Sequence, residues 1–198
     1  MKAQPRFVCG LDEVGRGALA GPVVAAAVIL RKRCRIPGLA DSKTLTSAQR
    51  ESIAEAIRAK ALAWAVAEAS PDEISTLNIL RASLLAMRRA YFSLDAEVKE
   101  AEIIVDGNFY PEGMPEGRAL KHADALIPAV SAASILAKVH RDALMAQLQN
   151  DYPQFSFSKH KGYGTAQHLR ELEEHGPLDH HRSEFAPVKI LRQPRLEF

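Results

Sequence analysis

The chain of 198 residues has only two cysteines, Cys9 and Cys34, a single tryptophan and no long apolar run. Two cysteines form neither a disulfide framework nor a zinc site, and Cys9 lies in an apolar strand pattern typical of a small core residue. The longest apolar run, 23–30, is too short to span a bilayer, and the short polar stretch at 1–5 is unlike a signal peptide. We therefore expect a soluble, cytoplasmic protein with no membrane contact.

Neither sign of charge is in large excess, because the formal net charge is only +2. Such a balance neither demands nor excludes a nucleic-acid partner. Apolar residues make up 47% of the chain, which is ample for the core of one domain. Basic residues cluster at 31–35 and 159–161, and five of the seven histidines lie between His160 and His181. Each basic run is either a solvated loop or part of a binding surface.

The hydrophobic periods predict strands followed by helices, that is, an α/β or α+β domain. Capping boxes at 46–49 and 70–73 mark two helix starts, and Gly176-Pro177 marks a helix end. Small residues on one side of the helix at 128–149 favour close packing against a sheet. Strands are predicted at 6–12, 22–30, 61–69, 102–106 and 118–121, and helices at 47–61, 76–94, 128–149 and 165–175.

Acidic residues follow three of these strands. Asp12-Glu13 end the first strand, just before the glycine-bracketed arginine at 15–17, while Asp106 and Asp124 follow later strands. Neighbouring strand residues point to opposite faces, so Asp12 and Glu13 converge only if the strand ends there. If the strands ending at 12 and 106 lie side by side, their carboxylates meet and suit Mg²⁺, which prefers hard oxygen ligands. Alternatively, acids after strands form turns or cap helices.

These residues resemble the ribonuclease HII family. The stretches that carry the resemblance run in family order through nearly the whole chain: 10–17, 19–30, 41–43, 77–80, 105–108, 131–139, 141–142 and 160–165. The resemblance implies an α/β, ribonuclease H-like fold with a central mixed β-sheet flanked by helices. It further implies a catalytic domain over 1–150 and a C-terminal helical extension over 151–198 that packs on it and contributes to substrate binding.

The resemblance also implies an activity. Family members are endoribonucleases that cleave 5′ of ribonucleotides in RNA–DNA hybrids and of single ribonucleotides embedded in duplex DNA. They use two-metal-ion hydrolysis and leave a 3′-hydroxyl and a 5′-phosphate. The resemblance assigns Asp12, Glu13, Asp106 and Asp124 as the catalytic residues and as ligands of Mg²⁺ or Mn²⁺. No protein nucleophile is required.

Five further residues match the family's substrate-binding positions. Gly15, Arg16 and Gly17 match a loop whose backbone senses the ribose 2′-hydroxyl, and Tyr163 matches a tyrosine that packs on the sugar after the ribonucleotide. A 2′-hydroxyl distinguishes RNA from DNA, and glycine permits close backbone approach. Arg16 either bonds a phosphate or ties the turn to nearby carbonyls. Tyr163 is either an exposed tip or a core residue. Lys43 either contacts a phosphate or belongs to a capped turn.

The stretch 181–185 departs from the family pattern, so we assign no role to it. Two other functions remain open. One is a hybrid-duplex binding protein without catalysis, although clustered carboxylates would repel phosphates. The other is a ribonuclease HIII-like activity on hybrids only. Ribonuclease HIII has an additional N-terminal domain, for which we expect no room before the first strand of this chain.

The last residues of the chain suggest a protein partner. Gln193, Leu196 and Phe198 have the spacing of short peptides that dock into a sliding-clamp pocket. Alternatively, they are an unstructured end or a remnant of cloning. We otherwise expect a monomer.

Overall fold

A computed structural model describes residues 7–31, 33–39, 45–95 and 101–192. Within these ranges, no helix is both long and apolar enough to cross a membrane. The strands are β1 (Phe7–Val14), β2 (Val23–Arg31), β3 (Ala63–Ala69), β4 (Ala101–Asp106) and β5 (Gly117–Leu120). The helices are α1 (Ser47–Lys60), α2 (Pro71–Leu77), α3 (Ile79–Phe92), α4 (Ala123–Leu126), α5 (Pro128–Asp151), α6 (Phe157–His160), α7 (Ala166–His175) and α8 (Ala186–Leu191).

The five strands form one mixed sheet in the order β3-β2-β1-β4-β5. β2 is antiparallel to both β1 and β3, whereas β4 is parallel to both β1 and β5. The carboxyl ends of β1, β4 and β5 therefore lie at the same edge of the sheet. This arrangement confirms the predicted mixed sheet flanked by helices.

Helices cover both faces of the sheet. Val23, Ala25, Ala27 and Ile29 of β2 pack into a core shared with α3, and the alternate residues of β2 pack into a core shared with α1 and α5. A strand buried on both faces is continuously apolar because its side chains alternate between faces. Cys9 is fully buried on the α3 side, as predicted, and burial raises the pKa of its thiol to about 12.

Helix α5 approaches the sheet at backbone distance. A Cβ on Gly10 of β1 would lie 2.2 Å from the carbonyl carbon of Ala129, so only glycine fits there. Ala132, Ala133 and Ala137 of α5 are fully buried. The small residues of this helix therefore serve the close packing that the sequence predicts.

The predicted helix over 76–94 was wrong at its start. Asn78 has a φ of 66° and separates α2 from α3. Its side-chain oxygen accepts hydrogen bonds from the N–H groups of Leu80 and Arg81 at 3.0 and 3.2 Å. A positive φ is uncommon for a residue other than glycine, and the side-chain cap that accompanies it satisfies donors at the start of α3. The short helices α4, α6 and α8 were not predicted either.

The C-terminal segments pack on the loop between β1 and β2. Leu19 and Ala20 of that loop share a core with Met145 of α5, with Phe155 and Phe157, and with residues of α7 and α8. The predicted boundary at 150/151 falls in the last turn of α5. A division into catalytic domain and extension stays a prediction.

Three histidines of this C-terminal part are buried, so the run at 159–161 is not simply a solvated loop. His160, His168 and His181 are 6%, 0% and 2% exposed. The rings of His160 and His168 stack in parallel with their centroids 4.1 Å apart. The Nε2 atoms of His168 and His181 lie 3.0 Å apart, and Nε2 of His160 lies 2.9 Å from Oε2 of Glu171. The three rings therefore form one connected network.

Hydrogen-bond partners fix the His168–His181 pair in one set of neutral tautomers. The N–H of Leu178 donates to Nδ1 of His181 at 2.9 Å, so the proton of His181 is on Nε2 and points to Nε2 of His168. Nδ1 of His168 donates to the carbonyl of Tyr163 at 3.0 Å. Protonating His168 would bring two N–H groups face to face. Burial and a neighbouring histidine lower the pKa of His168 to about 4 and that of His181 to about 3.

We expect His168→Asn to flatten the pH dependence of stability in mild acid. An unfolded histidine gains a proton below about pH 6.5, whereas folded His168 stays neutral until about pH 4. The unfolded wild type therefore binds more protons over this window and loses stability as the pH falls. Other groups titrate in the same window, so the informative quantity is the difference in slope between the two proteins, measured by urea unfolding. Identical slopes would contradict the prediction.

Candidate active site

The predicted acidic residues of β1 and β4 lie together at one edge of the sheet. The parallel pairing of the two strands ends at Leu11 and Val105, and Asp12 and Asp106 are the next residue on each strand. The expectation that β1 ends at Asp12 was wrong, because β1 continues to Val14 by pairing with β2. Beyond Leu11, however, β1 is no longer paired with β4. This opening explains why the charge of Asp106 acts on both Asp12 and Glu13.

Asp12 is the most deeply buried acid of this group, at 6% exposure. Its Oδ1 accepts a hydrogen bond from the N–H of Glu13 at 2.8 Å, and its carboxylate accepts another from the hydroxyl of Ser134. Burial raises the pKa of Asp12 well above its usual range, and the charges of Glu13 and Asp106 raise it further, against the effect of these hydrogen bonds. A nearby cation would relieve both effects, because it stabilises the ionised form.

Glu13 is held by Arg16 at the surface of the site. Nη1 of Arg16 lies 3.1 Å from Oε1 of Glu13. Burial raises the pKa of Glu13, the positive charge of Arg16 opposes that effect, and Asp106 adds to it. The Arg16 side chain is half exposed and pairs with a carboxylate, which was neither of the two roles weighed from the sequence. The Glu13 side chain is only 11% exposed, so it is the outward-facing guanidinium of Arg16 that remains accessible to another anion.

Asp106 and Asp124 are connected through α4. Oδ1 of Asp106 accepts a hydrogen bond from the N–H of Ala123 at 2.7 Å, so Asp106 also fills the capping role that the sequence left open. Asp124, the second residue of α4, is buried, and its carbonyl accepts a short hydrogen bond from the hydroxyl of Ser131 on α5. These bonds fix α4 between the end of β4 and the start of α5.

The donor set fits a hard divalent cation that keeps part of its water shell. Among the described residues, no three histidine, cysteine or acidic side chains stand close enough together to enclose a metal ion. Mg²⁺ does not need such an enclosure, since it is commonly bound by one or two carboxylates plus waters and substrate phosphates. The mutual repulsion of Asp12, Glu13 and Asp106 is the feature that a cation at this edge would remove.

Two fully buried arginines shape the loop between β1 and β2. Arg182 donates to the carbonyls of Gly15, Arg16 and Gly21 at 2.7, 2.8 and 3.0 Å. Arg141 donates to the carbonyls of Ala20, Pro22 and Lys161 at 3.1, 3.1 and 2.9 Å. Burial lowers the pKa of Arg182 to about 9, with Arg141 adding to the effect, so it remains charged at neutral pH.

Arg182 lies in the stretch 181–185, to which the sequence alone assigned no role. Its three acceptors lie more than 160 positions earlier in the chain, so no local spacing could have revealed them. Arg141 lies in one of the stretches that resemble the family, but its type alone does not distinguish a buried anchor from a surface charge. Both residues act on the site by fixing the loop that bears Arg16.

Tyr163 lies beside this loop. It forms an isolated β-bridge with Ala18, and Cζ of Arg141 lies 5.5 Å from the centroid of its ring. Tyr163 is partly exposed, so it is neither a core residue nor a free tip. Lys43 lies outside the described residues, as do Gln193, Leu196 and Phe198.

A family model described as ribonuclease HII matches residues 9–188. The chain belongs to the ribonuclease HII family. The ribonuclease HII of Paracidovorax citrulli is 56% identical over 184 residues, covering 93% of this chain and 76% of that protein. The ribonuclease HII of Bordetella pertussis is 53% identical over 190 residues, covering 96% of this chain and 94% of that protein.

The fold of this chain is also similar to the folds of several solved ribonucleases. Ribonuclease H2 from Pyrococcus horikoshii has a TM-score of 0.76 and 26% identity, covering 93% of this chain and 96% of that one. Ribonuclease HII of Archaeoglobus fulgidus, solved as a complex with PCNA, has a TM-score of 0.71 and 27% identity, covering 95% and 98%. Bst-RNase HIII, solved with Mn²⁺, has a TM-score of 0.74 at 22% identity, covering 96% and 70%, and shows the shared fold. The ribonuclease H-like fold is therefore confirmed, and this member of the ribonuclease HII family is a type 2 ribonuclease H hydrolase.

We expect Gly15→Ala to destabilise the protein by about 2 kcal/mol or more, and Gly17→Ala to leave its stability nearly unchanged. Gly15 has a φ of 92°, and a Cβ there would lie 2.2 Å from Nε of Arg141. A Cβ on Gly17 would meet no atom within 4 Å. Urea unfolding of both variants tests the difference. If both variants lose the same stability, the hydrogen bonds of Arg141 do not constrain the loop.

Proposed function

We propose that this member of the family cleaves the phosphodiester bond 5′ of ribonucleotides, both in RNA–DNA hybrids and at single ribonucleotides in duplex DNA. The products are a 3′-hydroxyl and a 5′-phosphate. The observation that carries the proposal is the charge coupling of Asp12, Glu13 and Asp106 at a sheet edge next to an exposed loop with open space at Gly17. Such an edge can hold a cation beside a nucleic-acid backbone.

The catalytic residues in this proposal are Asp12, Glu13, Asp106 and Asp124, acting as ligands of Mg²⁺ or Mn²⁺. A bound pair of divalent ions would supply an activated water and positive charge for the departing 3′-oxygen. The contacts behind the carboxylates support the proposal. Ser134 orients Asp12, and the N–H of Ala123 orients Asp106. Oriented ligands hold metals more tightly than free ones.

The loop at 15–17 is the proposed reader of the ribose 2′-hydroxyl. Arg182 and Arg141 satisfy the inward-facing carbonyls of this loop and its neighbours, which leaves the outer side of Gly17 clear of protein atoms. Arg16 would release Glu13 to bond a phosphate when substrate arrives. Tyr163 would pack on the sugar after the ribonucleotide, and Lys43 would meet a phosphate.

Two alternatives are disfavoured by specific observations. A binding protein without catalysis would gain nothing from a buried carboxylate whose like-charged neighbours raise its pKa, because this charge repels the phosphates it would bind. An activity restricted to hybrids, as in the HIII alternative, is disfavoured by the ribonuclease HII match over 9–188. Similarity to the fold of ribonuclease HIII does not distinguish the two activities, because both kinds of enzyme share that fold.

The activity is tested with a labelled DNA duplex that contains one ribonucleotide. We expect Mg²⁺-dependent nicking on the 5′ side of that residue, with a 3′-hydroxyl that a polymerase can extend. A continuous RNA–DNA hybrid serves as the second substrate, and an all-DNA duplex as the control. Nicking of the hybrid alone would support the HIII-like alternative, and binding without nicking would support the binding-protein alternative.

Asp12→Asn and Asp106→Asn should remove nearly all cleavage and leave duplex binding largely intact. Each change deletes a negative charge that the proposed cation needs, while the amide keeps the size of the side chain. Glu102→Gln, at an exposed ion pair with Arg118, is a control on the same strand as Asp106. Turnover of either Asp variant at the wild-type rate, measured at saturating Mg²⁺, would defeat the metal-site assignment.

We also propose that residues 193–198 dock on a sliding clamp through Gln193, Leu196 and Phe198. The support is their spacing, together with the structural relative that was solved in complex with PCNA. Deleting 193–198 spares Arg192, whose Nη2 donates to the carbonyl of Leu178 at 2.8 Å, so we expect the folded enzyme to keep its nicking activity and lose clamp affinity. Unchanged affinity for a purified bacterial clamp in calorimetry would refute this role.

A further inference from the structure

Two stacked imidazoles hold the backbone around Tyr163. The N–H of Gly162 donates to Nδ1 of His160 at 3.1 Å, and Nδ1 of His168 donates to the carbonyl of Tyr163 at 3.0 Å. The carbonyl of Tyr163 also accepts from the N–H of Thr165 at 2.8 Å. His168 therefore holds the peptide group that follows Tyr163, and His160 holds the peptide group that precedes Gly162.

The opposite side of this segment is bonded to the loop after Gly17. Ala18 bridges to Tyr163, and the N–H of Leu19 donates to the carbonyl of Gly162 at 2.7 Å. The position of the Tyr163 ring relative to that loop thus depends on how firmly its own backbone is fixed. A ring that must meet one sugar of a duplex needs such a fixed position.

His168 is itself oriented by the C-terminal segment. Its Nε2 lies 3.0 Å from Nε2 of His181, and the orientation of His181 is set by the N–H of Leu178 at 2.9 Å. Ala20 of the loop bridges to His181. A continuous line of hydrogen bonds therefore runs from Leu178 through two buried rings to the carbonyl of Tyr163.

We propose that His168, oriented by His181, is a positioning residue for Tyr163 and sets the preference of the enzyme for a single ribonucleotide over a continuous hybrid. His168 is completely buried and acts only through the tyrosine. The inference rests on the proposed role of Tyr163 at the sugar that follows the ribonucleotide. That contact exists at a single RNA-to-DNA step, so loosening the ring should weaken cleavage there more than within a hybrid.

A pair of substitutions at His168 tests the proposal. His168→Leu removes the donor to Tyr163 and fills similar volume, whereas the amide of His168→Asn can replace Nδ1 as the donor. The measured quantity is the ratio of kcat/KM on the single-ribonucleotide duplex to kcat/KM on the hybrid. We expect His168→Leu to lower this ratio roughly threefold to tenfold, which corresponds to the loss of one hydrogen bond, and His168→Asn to keep it near the wild-type value.

Tyr163→Ala is the reference variant, because it tests the proposed sugar contact of Tyr163 separately from the role of His168. If Tyr163→Ala leaves the ratio unchanged, the proposed role of Tyr163 fails, and the positioning role of His168 fails with it. If Tyr163→Ala lowers the ratio and His168→Leu does not, only the positioning role is overturned. Equal losses on both substrates in His168→Leu would mark a purely structural residue and would overturn the proposal as well.

Histidine ¹⁵N NMR of the unmodified enzyme provides a readout that depends on neither activity nor variant folding. At neutral pH we expect a proton on Nδ1 of His168 and on Nε2 of His181. A proton on Nε2 of His168, or a charged ring at either position, would break the line of hydrogen bonds to Tyr163 and overturn the proposal.

Discussion

The hydrogen bonds from two buried guanidinium groups to six backbone carbonyls are the interaction on which the rest of the site depends. Arg141 and Arg182 donate to the inward-facing carbonyls of the loop between β1 and β2 and to the carbonyl of Lys161. Each buried acceptor without a partner would cost about 1–3 kcal/mol. The arginines need the carbonyls equally, because a buried charge is tolerated only when it is well bonded. Loop and arginines therefore require one another.

The fold follows from local patterns more completely than the site does. The continuous apolar run of β2, the capping box at Thr46 and the small residues of α5 are all local signals, and each predicted its element correctly. The break at Asn78 escaped prediction, because the helical period continues through it and only the backbone conformation reveals the cap. The order of the strands depends on contacts between distant segments, which no local window contains.

Part of the candidate site could be predicted from the sequence, because several carboxylates at the ends of different strands are an unusual combination. Asp12 and Asp106 could be expected to meet once the two strands were placed side by side. The functions of Arg182 and His168 could not be expected, since both depend on carbonyl groups that only the folded chain brings within reach. Histidine clustering was visible in the sequence, but burial distinguishes a structural network from a basic loop.

The separation of Arg182 from its acceptors along the chain has a consequence for folding. Its bond to the carbonyl of Arg16 spans 166 positions, and contacts between segments so far apart in the chain form slowly. The pairing of β1 with β4 joins segments that are nearer in sequence, so the acidic edge can assemble before the loop beside it is fixed. That loop becomes rigid only when the segment bearing Arg182 docks against it.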